Sequence, residues 1–154
     1  MALFKQIQVG GPTNEILVGL DVDGYVWYNR GGAHHSDWIQ LDLADQGATL
    51  PNMKHIVLWG EDLGILEALD VTGRMWSFAG DLSIADGRSA PEEIGDWVHV
   101  TNPSLPEAMD TLVAGVGASL CGLDSKGQIW ALDPSEDSEW FRIPLELEKQ
   151  YVGD

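Results

Sequence analysis

A twelve-residue stretch occurs three times in the chain, and this repetition constrains the fold more than any other feature of the sequence. The copies read ILVGLDVDGYVW, ILEALDVTGRMW and SLCGLDSKGQIW, and they begin at Ile16, Ile65 and Ser119. Five of the twelve columns are identical in all copies: two leucines, an aspartate, a glycine and the closing tryptophan. The starts lie 49 and 54 residues apart (65 − 16 and 119 − 65), and periods of this length are typical of repeat architectures.

Each copy predicts a β-hairpin. The first arm is almost entirely apolar, which is typical of a strand covered on both faces. Asp-x-x-Gly follows, in which the aspartate suits the first position of a tight turn and the glycine supplies the left-handed conformation that closes it. The second arm is aromatic or β-branched and ends on the repeated tryptophan, which at this spacing is more typical of a core residue than of a ligand platform. We therefore assign a structural turn role to Asp21, Gly24, Asp70, Gly73, Asp124 and Gly127.

Each hairpin lies between two further segments with the character of strands. The sequence thus predicts an all-β chain of three four-stranded units in a single repeat domain covering 1–154, with units at about 4–43, 53–101 and 110–144. A second tryptophan opens the last strand of every unit, at Trp38, Trp97 and Trp140. The loop at 79–95 is longer in the second unit than its counterparts, and the charged tail after Pro144 has no counterpart in the other units.

This pattern of hairpin, loop and second tryptophan resembles the blades of β-propellers, and among them the lectin propellers of the tachylectin-2 and tectonin type. Propellers close with about four to eight blades, so three blades do not complete a ring. The resemblance therefore implies a homodimer that forms a six-bladed propeller. The alternative is a monomeric β-trefoil, which also has three four-stranded repeats and closes within one chain.

The resemblance implies a non-catalytic binding protein that recognises glycans in grooves between blades and gains affinity from multivalency. Tryptophan faces stack on sugar rings, and arginine binds hydroxyls or carboxylates. The corresponding ligand-binding candidates are Trp38, Trp97, Trp140, Arg30, Arg74 and Arg142. Core tryptophans and surface arginines that balance acids are the competing interpretation. The alternative function is a structural or protein-interaction module of a bacterial or viral assembly.

The charge of the chain restricts its partners. With 25 acidic and 8 basic residues the net charge is −17, which disfavours binding to nucleic acid or to an anionic membrane. A solvated acidic surface explains this composition, and an acidic inhibitor that mimics nucleic acid is the sharper hypothesis. The first residues lack the apolar core of a signal peptide, and no apolar run has the length of a membrane span. We expect a cytoplasmic or virion-associated protein.

The sequence contains no catalytic or nucleotide-binding motif, so we predict neither an enzyme nor a cofactor. His34, His35 and Asp37 could be metal ligands, but spacing places no further ligand beside them. Asp21 and Asp23 resemble part of a calcium loop, yet the other copies do not keep the second acid. The turn interpretation is therefore preferred, and no metal site is predicted. Cys121, the single cysteine, excludes an intrachain disulfide.

Overall fold

A computed structural model describes residues 3–13, 15–30, 38–42, 44, 47, 49–79, 82, 95–115, 119–133 and 138–144. These residues form three antiparallel sheets of four strands each. Sheet 1 contains β1 (Phe4–Gly10), β2 (Ile16–Asp21), β3 (Val26–Arg30) and β4 (Ile39–Gln40). Sheet 2 contains β5 (Met53–Trp59), β6 (Ile65–Asp70), β7 (Met75–Ala79) and β8 (Asp96–His99). Sheet 3 contains β9 (Met109–Ala114), β10 (Leu120–Asp124), β11 (Ile129–Leu132) and β12 (Trp140–Ile143).

Each repeat builds a sheet of its own, in which every strand pairs with the next one along the chain. This confirms the prediction of three four-stranded units and gives the chain a blade-type all-β repeat fold. The alternative, a β-trefoil closed within one chain, does not match these three separate sheets. Two boundaries differ from the predicted units: β4 ends at Gln40, before the predicted end of the first unit at about 43, and β9 begins at Met109, one residue before the predicted start of the third unit at about 110.

The first strand of every sheet carries the same irregularity. Its pairing with the second strand shifts register after the residue opposite the turn aspartate, at Phe4, Met53 and Met109. One extra residue therefore bulges from each first strand, at Lys5, Lys54 and Asp110. The side chains of Lys54 and Asp110 meet in an ion pair of 3.1 Å, because β5 and β9 adjoin each other.

Two apolar cores lie between consecutive sheets. We call the side of a sheet that faces the following repeat its exit face, and the opposite side its entry face. The exit face of sheet 1 (Val18, Leu20, Val26, Tyr28) packs on the entry face of sheet 2 (Ile56, Leu58, Leu66, Ala68, Trp76, Phe78, Trp97). The exit face of sheet 2 (Val57, Leu69, Met75) packs on the entry face of sheet 3 (Leu112, Leu120, Trp140).

Sheet 2 is thus covered on both sides, as its apolar first arm predicts. Counting only the residues that the structure describes, sheets 1 and 3 are each covered on one side, and the three sheets do not close into a ring. The entry face of sheet 1 and the exit face of sheet 3 are therefore the two open ends of the stack. In the part of the chain that the structure describes, no helix has the length and apolarity needed to cross a membrane.

Candidate functional site

The turn aspartate of each repeat holds its hairpin together through both carboxylate oxygens. In the second repeat, Asp70 Oδ1 accepts hydrogen bonds from the backbone N–H groups of Thr72 (2.8 Å) and Arg74 (3.0 Å). Asp70 Oδ2 accepts one from the indole Nε1–H of Trp76 at 3.0 Å. Asp21 and Asp124 make the same three bonds to residues two, four and six positions later. The hydrogen bond to the indole explains why the closing column is always tryptophan.

These carboxylates stay ionised because of their hydrogen bonds. Burial by itself raises the pKa of Asp70, but the bonds donated by Thr72, Trp76 and Arg74 outweigh burial and hold the pKa below its ordinary value. The pKa values of Asp21 and Asp124 are lowered in the same way. A charged carboxylate with both oxygens occupied in a turn has a structural role, which is the role that the repeat pattern predicts.

The turn glycines connect one repeat to the next. Gly24 and Gly73 adopt positive φ angles of 92° and 88°, and their carbonyl oxygens accept hydrogen bonds from the N–H groups of Met53 (2.8 Å) and Met109 (3.0 Å). A Cβ atom at these glycines would lie 2.7 Å and 2.9 Å from the nearest atoms of the following repeat. Gly127 has the same conformation, with φ of 80°, but a Cβ there would meet nothing within 4 Å. The absence of a side chain thus permits close contact between repeats.

Equivalent grooves run between consecutive sheets beside these turns. The groove between sheets 1 and 2 has a volume of about 510 Å³, and the groove between sheets 2 and 3 about 170 Å³. Matching columns of the repeat line both of them: Tyr25 and Arg74 follow the turn glycine, and Gln40 and His99 face the hairpin tryptophan. Grooves between consecutive sheets are therefore lined at equivalent positions of the repeat, and their linings differ in residue type.

A polar groove lies next to the groove between sheets 2 and 3 and is larger than it. This polar groove runs between the hairpin turns of repeats 2 and 3. Its volume is about 490 Å³. Arg74 borders both cavities, and the half-buried Trp130 forms part of the wall. Two of the eight basic residues of the chain, Arg74 and Lys126, line this groove. The remaining lining is mainly polar and comprises Thr72, Pro106, Glu107, Ala108, Asp124, Ser125 and Gln128.

Two of the predicted ligand-binding tryptophans are core residues. Trp97 is completely buried and donates its indole N–H to the carbonyl of Leu41 at 2.8 Å. Trp140 is nearly buried in the core between sheets 2 and 3. A ring without an accessible face does not stack on a sugar, so the structure assigns packing roles to both. The role predicted from the sequence was wrong because tryptophan serves both as a sugar-stacking residue and as a core residue, and only its burial distinguishes the two roles.

The other predicted ligand-binding residues lie at the surface or at its edge. Trp38 is half-buried, and its ring lies 4.8 Å from the ring of Phe4. Arg142 is exposed on β12 and is paired in register with Trp130. Arg74 is exposed and lines the polar groove. Arg30 ends β3, and only its backbone belongs to the described structure.

The structure describes only part of the metal and calcium candidates. No group of three potential metal-ligating side chains occurs among the residues that the structure describes, and His34, His35 and Asp37 lie outside them. Asp21 uses both of its carboxylate oxygens in the turn. The long loop at 79–95 and the charged tail lie mostly outside the described residues, which include only 79, 82 and 95 of the loop.

Sequence reasoning missed two features of the site. Lys126 and Gln128 are not among the ligand residues predicted from the sequence. They flank the turn glycine of the third repeat as Thr72 and Arg74 flank that of the second, and all four line the polar groove. The repeat alignment was the signal that could have found them. Glu67 was also missed: it is buried between sheets 2 and 3, where the other repeats have Val18 and Cys121.

Comparison with known proteins supports the fold and gives no information on function. No protein-family model and no curated protein matches the chain. Among solved structures, the crystal structure of human WBSCR16 is similar, with a TM-score of 0.59 and 15% sequence identity over 94% of this chain. The chain spans 39% of the length of that protein. The three-sheet arrangement therefore also occurs as part of a longer chain.

Proposed function

We propose that this protein is a non-catalytic, lectin-like binding protein that takes glycans in the grooves between its sheets. The observation that carries the proposal is the polar groove, which combines the Arg74 side chain, the half-buried ring of Trp130 and amide and hydroxyl groups in a volume of about 490 Å³. Such volumes are typical of small-molecule sites. Arginine and an aromatic ring in one groove suit the hydroxyls and the apolar face of a sugar.

The charge distribution supports a sugar that carries a carboxylate. The chain as a whole has a net charge of −17 and repels anions at long range. Arg74 and Lys126 place two positive charges in the groove. Glu107 and Asp124 lie in the same lining, but both carboxylate oxygens of Asp124 are already bonded in its turn. An arginine binds a carboxylate through two parallel hydrogen bonds. An acidic monosaccharide unit within a longer glycan is therefore the ligand class that fits this groove best.

A glycan array followed by titration calorimetry tests the proposal. The wild-type protein should retain glycans with uronic or other carboxylate-bearing sugars. Arg74→Ala should weaken this binding about tenfold to a hundredfold, because a charge-assisted hydrogen bond contributes about 1.5–3 kcal/mol. Lys5→Ala is the matched control: it removes one positive charge from an exposed position on β1, away from the groove. Equal losses in both variants would reduce the effect to net charge, and an empty array would remove the glycan proposal.

A second candidate function is a protein-interaction module. Its support is the apolar side chains exposed at the open ends of the stack, among them Ile7 and Val9 on sheet 1 and Phe141 on sheet 3, since exposed apolar patches mark interaction sites. The related hypothesis of an acidic inhibitor stays a prediction, to be tested by whether binding to a basic protein weakens steeply as salt is raised.

A further inference from the structure

The two open faces of the sheet stack expose apolar side chains. On the exit face of sheet 3, the exposed apolar residues are Val113, Leu123, Ile129, Phe141 and Ile143. On the entry face of sheet 1, Ile7 and Val9 are exposed, and Leu17 and Trp27 are half-buried. The pairing registers put each set on one side of its sheet. The paired strand positions on the exit face of sheet 3 include no charged residue, in a chain where 21% of residues are charged.

The exit-face positions of sheet 3 are buried in the other two repeats. Leu123 is 39% exposed, whereas its equivalents Leu20 and Leu69 are completely buried. Val113 is 58% exposed, whereas its equivalent Val57 is 2% exposed. Leu123 and Val113 are therefore exposed at positions that the following sheet buries in the other repeats.

The entry face of sheet 1 gives the complementary result. Ile7 is 56% exposed, whereas its equivalent Ile56 is fully buried under sheet 1. Trp38 is half-buried, whereas its equivalent Trp97 is fully buried and bonded to a carbonyl of the preceding repeat. These positions have the residue types of an interface with a preceding sheet.

We propose that a second copy of this chain covers both open faces. The exit face of sheet 3 packs on the entry face of sheet 1 of the second copy, and the reciprocal contact closes a ring of six sheets. This occupant follows from the repeat: the two open faces are the two halves of an interface that already occurs twice within the chain. A ring of six lies within the range in which such blades close, and a closed ring leaves no face uncovered.

Backbone groups at the open ends match as well. Within the chain, the carbonyls of Gly24 and Gly73 accept hydrogen bonds from the first strand of the following repeat. By the same register, the carbonyl of Gly127 accepts one from the N–H of Phe4 of the second copy, which is equivalent to Met53 and Met109. The empty space next to Gly127 is where that strand would lie.

The joint would also create a further groove of the type described above. Gln128 and Arg142 would line it, because they occupy the columns of Arg74 and His99 in the groove between sheets 2 and 3. That this joint groove binds a sugar rests on the proposed function, but the pairing of the two copies does not. Arg142, predicted from the sequence as a ligand residue, thus gains a groove only in the pair.

Light scattering on the eluting protein tests the pairing. At about 50 μM chain, the wild type should elute with a mass near twice the 16.8 kDa of one chain. Raising salt to about 0.5 M should strengthen the pair, since each copy carries a net charge of −17 and screening weakens their repulsion. Val113→Asp and Ile7→Asp should each give a single chain, since they place a charge on opposite sides of the same joint.

A matched control introduces aspartate at a position outside the proposed joint. Val71→Asp makes the same change at a turn residue that is 61% exposed and on neither face, so its mass should stay that of the pair. Far-ultraviolet circular dichroism should show that all three variants are folded. A wild-type mass of one chain at high salt would overturn the proposal, as would an open series of larger oligomers. If Ile7→Asp leaves the pair intact while Val113→Asp breaks it, sheet 3 packs on sheet 3 and the ring is refuted.

Cys121 supplies an independent readout. It lies on the exit face of sheet 3, paired in register with Val113 and Ala131, and it is the single cysteine of the chain. Its reaction with a thiol reagent should be at least tenfold slower in the wild-type pair than in Ile7→Asp, although Ile7 lies on the other sheet. Equal rates in the two proteins would show that sheet 1 does not cover this face and would overturn the proposal.

Discussion

Replacing Glu67 by glutamine should stabilise the protein at neutral pH. Glu67 lies on the exit face of sheet 2, and its side chain is buried between sheets 2 and 3. Its Oε1 accepts hydrogen bonds from Ser77 Oγ (3.2 Å) and Trp59 Nε1 (3.4 Å). Its Oε2 has no hydrogen-bond partner among the described residues. Burial raises the pKa of Glu67 from 4.5 to about 8, although the bonds from Ser77 and Trp59 lower it.

The direction of the pH effect follows from this shift. A carboxyl with a raised pKa is protonated in the folded protein, so its contribution to stability is complete below pH 4.5 and is lost as pH rises to about 8. Each pKa unit corresponds to about 1.4 kcal/mol. The wild type should therefore lose about 3 kcal/mol of unfolding free energy through this one group between pH 5 and pH 8. The three turn aspartates act in the opposite sense, but only near and below their ordinary pKa.

The Glu67→Gln variant should remove this dependence. Glutamine resembles the protonated carboxyl and needs no proton at any pH. Its N–H₂ group takes the place of the unpartnered Oε2, at a cost of about 1 kcal/mol. At pH 7 we expect a net gain of about 2 kcal/mol, and near pH 5 almost none. Urea unfolding followed by tryptophan fluorescence between pH 5 and pH 8 measures both values.

Two further variants make the result decisive. Glu61→Gln changes an exposed carboxyl in a turn and should leave the pH profile of the wild type in place. Glu67→Val introduces the residue of the first repeat, Val18, and should flatten the profile without any hydrogen bond to Trp59 or Ser77. If the Glu67→Gln and wild-type profiles run parallel, Glu67 does not take up a proton on folding and the reasoning fails.

Two further predictions concern the turn motif. Trp76→Phe keeps an aromatic ring but removes the indole N–H that bonds to ionised Asp70 and leaves a small cavity, so we expect a loss of at least about 1.5–3 kcal/mol in unfolding free energy; a loss below about 0.5 kcal/mol would mean that the hydrogen bond to Asp70 contributes nothing. Gly73→Ala should lower the thermal midpoint more than Gly127→Ala does when both are made in the single-chain Ile7→Asp protein, because both glycines have positive φ but within one chain only Gly73 contacts a following repeat. Equal losses in that background would show that the contact between repeats contributes nothing.

The sequence predicted the parts of this fold that recur. Columns that repeat three times combine local turn chemistry with the apolar pattern of strands, and together they specify sheet number, strand order and the turn roles of the three aspartates. The end of the first unit, predicted at about 43, was less well placed, because the last strand of that unit pairs over only two residues, Ile39 and Gln40. No local pattern marks where such a short edge strand ends.

Burial was the part that the sequence could not provide. Trp97 and Trp38 occupy the same column, yet one is completely buried and the other half-buried, because only Trp97 has a preceding sheet to pack against. The same holds for Glu67, whose raised pKa depends on the sheet that follows it. These properties depend on the position of a repeat in the stack, and position is not encoded within one repeat.

Under the proposed function, the comparison of equivalent columns predicts which position sets ligand preference. Columns that are identical in all repeats, such as Asp70 and Trp76, are accounted for by hydrogen bonds inside the hairpin. The column after the turn glycine, in contrast, contains Tyr25, Arg74 and Gln128. Tyr25 lines the groove between sheets 1 and 2, and Arg74 and Gln128 line the polar groove. The fold does not require one residue type there. Exchanging Tyr25 and Arg74 should therefore alter ligand preference between the two grooves while leaving the unfolding free energy within about 0.5 kcal/mol of the wild type.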